Sequence, residues 1–408
     1  MKTKLIKILS AVMLCGCASK SSLPEVENTS EINQANFHFQ EENAYGYYPG
    51  TAIFPARNKD YIFHVFATEP EIIYIENPNE KENKMTPYCD KAGCTHEDET
   101  CPAYIGEWTY IAFYKNKFYY TGYDDNRNLF LKELDPSNNN RRIVYQWDRP
   151  ANGEDSATDL IITYGNAIIR KDRWPLNIDT GEQQIVTETF LINLENGNCD
   201  LLAKDRDFQS NYSVIGGTED KIIFTKYEID NYMSLGDWIS QGKSESSYYE
   251  EYIPTLDDHV ALVSMDIKTK KEIVIAEAED GFVRYSDIMN KIADDQLVYV
   301  KNDEIHLYDI RSEEDKIIYH LEEIRNYWII DGKVLMLTSD KNRENLKEYI
   351  YDWQYDQLYI LNNNGNTEYM DFGVDTETEN GLISIVDRQW IKKTDFYNDN
   401  YDDIVTLW

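Results

Sequence analysis

The chain has 408 residues, of which 74 are acidic and 40 are Lys or Arg, for a net charge of −34 at neutral pH. The acidity runs along the whole length and repels nucleic acid and anionic lipid surfaces, so neither is expected as a ligand. With 32 Tyr, 14 Phe and 8 Trp set in short alternating runs beside β-branched residues, the composition is that of a strand-rich protein rather than a helical one.

The first residues read as an export signal. Lys2, Lys4 and Lys7 flank the start of an apolar run from Ile8 to Leu14, which is shorter than the roughly 20 residues needed to span a bilayer. Leu14 and Gly16 stand at −3 and −1 before Cys17, a bacterial lipobox pattern. It predicts that residues 1–16 are removed and that Cys17 becomes the lipidated (palmitate-bearing) first residue. The chain would then be a lipoprotein held on the extracytoplasmic face of the cell membrane. The plainer alternative is an ordinary signal with incidental cysteines. Cleavage takes away three lysines and no acid, moving the charge from −34 to −37. Residues 17–35 are polar, have no apolar period, and read as a flexible tether. The folded domain is expected over 36–408.

A divergent first repeat follows at about 50–101, with strands in TAIFPARNKDYIFHVFA, EIIYIENPNEKEN and KMTPYC. It ends in Cys89, Cys94, His96 and Cys101, spaced C-x4-C-x-H-x4-C. Three thiols and one imidazole complete a tetrahedral donor set, so the run reads as a closed, structural zinc site, with iron a weaker option. Asp90, Glu97, Asp98 and Glu99 add a field that favours a cation. The rival reading is disulfide pairing among Cys89, Cys94, Cys101 and Cys199, since exported cysteines usually oxidise and four of them allow three connectivities.

The same unit then recurs around 105–147, 158–203, 211–277, 282–320 and 322–372. Each copy is a short strand, a turn with Gly, Asn or Asp, an aromatic strand, a loop, a strand ending in Asp, a turn and a last apolar strand. A final partial copy, LISIVDRQWIKKTDF then DIVTLW, lacks a fourth strand, which NFHFQ at 36–40 is expected to supply. Blade-like repeats of this size predict an all-β, single β-propeller, most simply of seven four-stranded blades (six or eight being the neighbours), closed by pairing of its terminal strands.

The lipobox, the Tyr-rich repeats and the cysteine run together resemble a group of β-propeller lipoproteins of Gram-positive anaerobes, akin to TolB-like propellers. That resemblance implies the fold and an extracytoplasmic place. It brings no activity and no catalytic residues.

A propeller sends second-to-third-strand loops and blade links to one face. The long insertions at 171–187, 229–258 and 340–356 belong there, and so does the cysteine run. Trp174, Trp238, Tyr248, Tyr249, Tyr252, Tyr351 and Trp353 in those insertions are candidates to hold a glycan, a peptide or a partner protein; the bland alternative is that they pin their own loops. No nucleophile-elbow, zinc-protease or phosphate-loop motif is present. His64, His259, His306 and His320 sit in strand patterns and are expected to be packed or surface residues. The expected function is a binding or interaction module. The alternative is a surface polysaccharide hydrolase or lyase that draws carboxylates together near the channel.

Overall fold

The computed structural model describes residues 25–26, 42–45, 56–57, 61–65, 71–79, 84–151, 153–174, 185–206, 210–256, 258–277, 292–301, 304–320, 324–338, 347–361, 374, 376–384, 387–398 and 400–407. The signal segment, Cys17, the 36–40 segment and all of the expected tether at 17–35 except Glu25 and Val26 lie outside them. So do residues 175–184 and 339–346. Among the described residues no helix is long and apolar enough to cross a membrane.

Two short strands precede the repeats, β1 (Glu25–Val26) and β2 (Asn43–Tyr45). Blade one is β3 (Ala56–Arg57), β4 (Ile62–Val65), β5 (Ile73–Glu76) and β6 (Thr86–Pro87). Blade two is β7 (Tyr110–Tyr114), β8 (Lys117–Tyr123), β9 (Leu129–Asp135) and β10 (Asn140–Gln146). Blade three is β11 (Glu154–Thr163), β12 (Asn166–Trp174), β13 (Val186–Asn193) and β14 (Cys199–Arg206). Blade four is β15 (Ser210–Gly217), β16 (Lys221–Ile229), β17 (Asp258–Asp266) and β18 (Glu272–Glu277). Blade five is β19 (Ile292–Ala293), β20 (Gln296–Lys301), β21 (Glu304–Asp309) and β22 (Asp315–His320). Blade six is β23 (Ile324–Ile330), β24 (Lys333–Thr338), β25 (Lys347–Asp352) and β26 (Gln357–Leu361). Blade seven is β27 (Thr376–Glu377), β28 (Gly381–Ser384), β29 (Gln389–Lys392) and β30 (Val405–Thr406). Each blade is an antiparallel meander, and together the seven form a β-propeller.

The ring is held by a separate apolar core between each pair of neighbouring blades. Phe63 and Ile73 meet Phe118 and Tyr120 between blades one and two. Ala112 and Leu131 meet Ile162 and Ile169 between two and three. Equivalent cores join three to four, four to five, five to six and six to seven. The seventh, where Ile62 packs on Ile383, Trp390 and Leu407, closes blade seven onto blade one. Gly381 is required there, because a Cβ on it would come within 2.0 Å of the Trp390 ring.

Blades two to six share one turn between their third and fourth strands. Asp135, Asn193, Asp266, Asp309 and Asp352 each accept the backbone N–H two residues ahead. Four residues further on, Asn139, Gly197, Lys270, Glu313 and Asp356 all take positive φ. This local side-chain bond is what makes each third strand end in Asp or Asn. The first-to-second-strand turns include two-residue hairpins with both φ positive, at Lys115–Asn116, Tyr164–Gly165 and Asp331–Gly332. All these turns emerge on one face, the turn face. Second-to-third connections and blade links emerge on the other, the insertion face.

The expected closure by an N-terminal strand is corrected. Blade seven draws four strands from 376–406, and among the described residues apolar packing rather than a shared sheet closes the ring. The N-terminal strands serve elsewhere. β1 adds in parallel to the outer edge of blade six, with Glu25 beside Leu358. β2 adds to the inner edge of blade three, with Asn43 beside Thr163. It therefore runs inside the ring of first strands. Glu42 accepts the Tyr114 hydroxyl of blade two at 2.7 Å and pairs with Lys115 at 2.9 Å. Asn43 exchanges both amide bonds with Gly217 of blade four, at 3.3 and 3.1 Å. The Tyr45 hydroxyl donates to the Ile215 carbonyl at 2.8 Å. One short segment thus bonds three blades from within. Asn43→Ala strips the buried N–H and C=O of Gly217 of these partners. It is expected to cost roughly 2–4 kcal/mol, read as a lowered midpoint in urea unfolding.

Candidate metal centre

The cysteine run leaves blade one and returns to the same strand. Tyr88 N–H donates to the Ile73 carbonyl at 2.8 Å, and Ile73 N–H donates to the Ala103 carbonyl at 2.7 Å. Ile73 therefore pinches the neck of the loop, and Ile72 bridges to Tyr104 beyond it. Inside the loop, Gly93 takes φ 73° and His96 takes φ 59°. The Cys94 N–H reaches the Lys91 carbonyl at 3.2 Å, and the Cys101 N–H reaches the Asp98 carbonyl at 3.1 Å. The Asp98 carboxylate caps its own turn by accepting the Thr100 N–H at 2.9 Å; these Thr100 bonds hold its pKa below the usual carboxylate value.

These turns bring the four donors together. One ligand atom from each of Cys89, Cys94, His96 and Cys101 lies within 4.8 Å of every other. His96 Nδ1 and Cys101 Sγ are 3.1 Å apart. Zinc bonds of about 2.3 Å to sulfur and 2.0–2.1 Å to nitrogen make a tetrahedron with edges of about 3.5–3.8 Å. Small side-chain shifts therefore close this set around an ion. A donor set of three sulfurs and one nitrogen suits zinc, whereas hard cations such as manganese take oxygen ligands. With four protein ligands there is no open position for substrate, so a metal here is a structural one.

The two inner thiols differ. Burial pushes Cys101 up to about 11. Cys94 is lowered, chiefly because the His96 N–H donates to its sulfur. A cation supplies what Cys101 lacks, since metal binding deprotonates a thiol outright. Ile72 and Ala103 are buried against the cluster, with Tyr74, Tyr88 and Tyr104 packed around it.

Cys89, Cys94, Cys101 and Cys199 carry free thiols. Cys199 does not join the run: it opens the outer strand of blade three and packs on the core between blades two and three. The pairing of Cys199 with the run that the sequence allowed would have to cross a whole blade.

The run also lies elsewhere than expected. Held at its neck by Ile73, it folds over the outer groove between blades one and two instead of standing on the insertion face. Arg141 of β10 donates to the Cys101 carbonyl at 2.9 Å and to the Tyr104 carbonyl at 2.6 Å. Asn139 donates to the Glu99 carbonyl at 2.8 Å. Both residues stand at the turn-face end of blade two. Neither was singled out in the sequence, where one Arg among many carries no positional signal.

The aromatic candidates divide. Trp238 is only 7% exposed; its ring stacks on Tyr252 at 4.8 Å and meets Tyr248 edge-on at 6.0 Å. Tyr248 is buried as well, and Tyr351 is fully buried in β25, bonded to Asp356 and Lys316. Trp353 packs on the core between blades five and six. As ligand platforms Trp238, Tyr248 and Tyr351 are corrected to supports, because no face of the ring is left open. Trp174, at the tip of β12, and Tyr249 remain exposed. Of the histidines, His64 is buried on Glu76 at 2.7 Å, His306 stacks on Tyr299 at 4.6 Å, and His259 and His320 are exposed.

No family model matches this chain, and no curated protein matches it. Among solved structures it is similar to an oligogalacturonate lyase in complex with manganese, at 12% identity over 86% of each chain and a TM-score of 0.41. It is also similar to TolB from Acinetobacter baumannii, at 11% identity over 79% of this chain and 64% of that one, with a TM-score of 0.31. A puromycin-hydrolyzing peptidase of Mycobacterium tuberculosis is similar at 11% identity over 89% of this chain and 52% of that one, with a TM-score of 0.44. At such identities the likeness is one of fold alone, and no residue role passes from these proteins to this chain.

Proposed function

We propose that this chain is a membrane-anchored, extracytoplasmic propeller that acts as a binding or interaction module, with one structural zinc ion clasping the groove between blades one and two. The observation that carries this reading is the position of β2. A propeller enzyme gathers its reacting groups at the channel, and here Glu42, Asn43 and Tyr45 occupy it at the turn-face end, spending their polar atoms on three blades. The cysteine–histidine set is likewise spent on itself. What remains for recognition is the insertion face. The register of β1 and β2 supports an anchor on the opposite side, because both strands begin at their turn-face ends. A lipid on Cys17 would then leave the insertions pointing away from the bilayer.

One residue favours a second reading. Asp159 stands on the innermost strand of blade three, and burial pushes its carboxyl up to about 6 despite the Leu160 N–H and Arg170. A carboxyl poised there suits a general acid for a polysaccharide hydrolase or lyase. Incubation with neutral and acidic polysaccharides, followed by new chain ends, separates the readings. The expected result is binding or nothing, without turnover. Turnover that disappears in Asp159→Asn would replace the module with an enzyme.

A further inference from the structure

The insertion between β16 and β17 is a small folded unit. Ser234 caps a helix at Leu235–Ser240 by accepting the Asp237 N–H at 3.1 Å and donating to the Asp237 carboxylate at 2.9 Å. Trp238 Nε1 donates to the Ser244 carbonyl and to Ser247 Oγ, both at 3.1 Å. The Tyr248 hydroxyl donates to the Met233 carbonyl at 2.9 Å, and the Tyr252 hydroxyl donates to the Asn231 carbonyl at 2.7 Å. These inward bonds lock the unit in one conformation and decide what faces out. Tyr249 is 57% exposed, Ile239 43% and Ile253 36%. Tyr249 lies in the π-helical turn Tyr248–Tyr252, and Ile253 opens the 3-10 turn that follows it directly, so the two exposed side chains stand on one short continuous segment.

The surroundings of these side chains are one-signed. Residues 230–256 carry five carboxylates (Asp230, Asp237, Glu245, Glu250 and Glu251), all exposed, against a single lysine. That lysine, Lys243, lies over the Trp238 ring at 3.5 Å, its charge turned onto the unit's own aromatic. An exposed tyrosine and isoleucines on a rigid support, in a segment whose five carboxylates are all exposed, form a small apolar centre in acidic surroundings.

We infer that the outward side of this insertion is a docking surface for a cationic amphipathic segment of a partner protein, whose apolar side chains cover Tyr249 and Ile253 while its lysines or arginines meet the carboxylates. The inference deepens the reading of the chain as a binding module and rests on it. Charge complementarity selects the partner: the carboxylates repel acidic peptides and acidic glycans. A neutral glycan would stack on Tyr249 and leave five carboxylates unused. The net charge of the whole chain draws a cationic partner in from a distance, and the apolar centre then decides where it stays.

The test uses the full chain and two fluorescent helical peptides, one of leucine and lysine and its leucine–glutamate counterpart, titrated by anisotropy at low and high salt. Binding of the lysine peptide alone is expected. Tyr249→Ala with Ile253→Ser should weaken it about tenfold or more, which is the loss of about 1.4 kcal/mol or more, while salt dependence persists. Ile143→Ser, at an exposed apolar site on blade two, should change nothing. Equal affinity in the double variant and the wild type would reduce the binding to diffuse charge and overturn the inference; so would the absence of binding. Failure of the module reading itself appears instead as turnover in the polysaccharide assay.

Discussion

Cys101→Ser is expected to abolish zinc binding and to loosen the groove between blades one and two. Wild-type protein should carry about one equivalent of zinc, with three thiols protected from thiol reagents and Cys199 reacting on its own. The variant should carry close to none after dialysis against a chelator. Cys101 is the informative position because its thiol is buried, accepts the Ala103 N–H at 3.3 Å, and stands 3.1 Å from His96 Nδ1. Serine keeps the volume and offers a far weaker metal ligand. Cross-linking a loop of this length removes about 3 kcal/mol of chain entropy from the unfolded state, and a metal clasp acts in the same sense. The loss should appear as a lower Tm and as proteolysis within residues 89–104, and chelator should reproduce both in the wild type. Acid should release the metal, because protons compete for three sulfurs and an imidazole. The stability that the metal contributes is thus present at neutral pH and lost as the pH falls. Wild-type protein without zinc and with every thiol reactive would end the metal assignment. An unchanged Tm in the variant would reduce the site to a surface ornament.

The repeats were legible because their signature is local chemistry. An Asp or Asn that ends a third strand bonds the N–H two residues ahead, and the turn takes a positive φ four residues on; a motif of five residues therefore announces blades two to six. The four metal-site donors were legible for the same reason, lying within thirteen positions. Their place was not, because Ile73 and Arg141, which decide where the loop lies, are far from it in sequence and common in type. Trp238, Tyr248 and Tyr351 show a different limit. An aromatic side chain in an insertion reads the same whether it faces out or in, and the bonds that fold residues 230–256 on themselves go largely to backbone carbonyls, which carry no sequence signal. The strap at 42–45 left no trace, since it works through hydrogen bonds from polar residues in a polar stretch. The first strand of blade seven hid similarly: β27 is two residues, Thr376 and Glu377, both buried and neither apolar.

Lys393→Met is expected to be the most destabilising single change in the ring, at about 3–5 kcal/mol. Asp331 sits in the hairpin turn between β23 and β24, buried, with φ 52°. Its carboxylate receives Lys333 Nζ at 3.0 Å, Lys393 Nζ at 3.0 Å and the Tyr397 hydroxyl at 2.8 Å. Its N–H donates to Glu377 at 2.9 Å, and Lys393 meets the same carboxylate at 2.9 Å. Lys393 and Tyr397 belong to the short helix Lys393–Tyr397, so these bonds stitch blade six to the end of blade seven beside the core at Leu382, Ile391 and Phe396. Burial and Asp331 push the Tyr397 hydroxyl well above its usual value, so it stays a donor. Methionine matches the lysine stem but removes the ammonium that bridges Asp331 and Glu377. The two buried carboxylates then lose the charge partner they share, while Lys333 still meets Asp331, and removing one partner of a buried ion pair costs far more than removing a surface one. Adding Glu377→Gln should recover part of the loss, which a double-mutant cycle in urea unfolding reads directly. A cost below about 1 kcal/mol for Lys393→Met, with no coupling to Glu377, would show that apolar packing alone joins these blades.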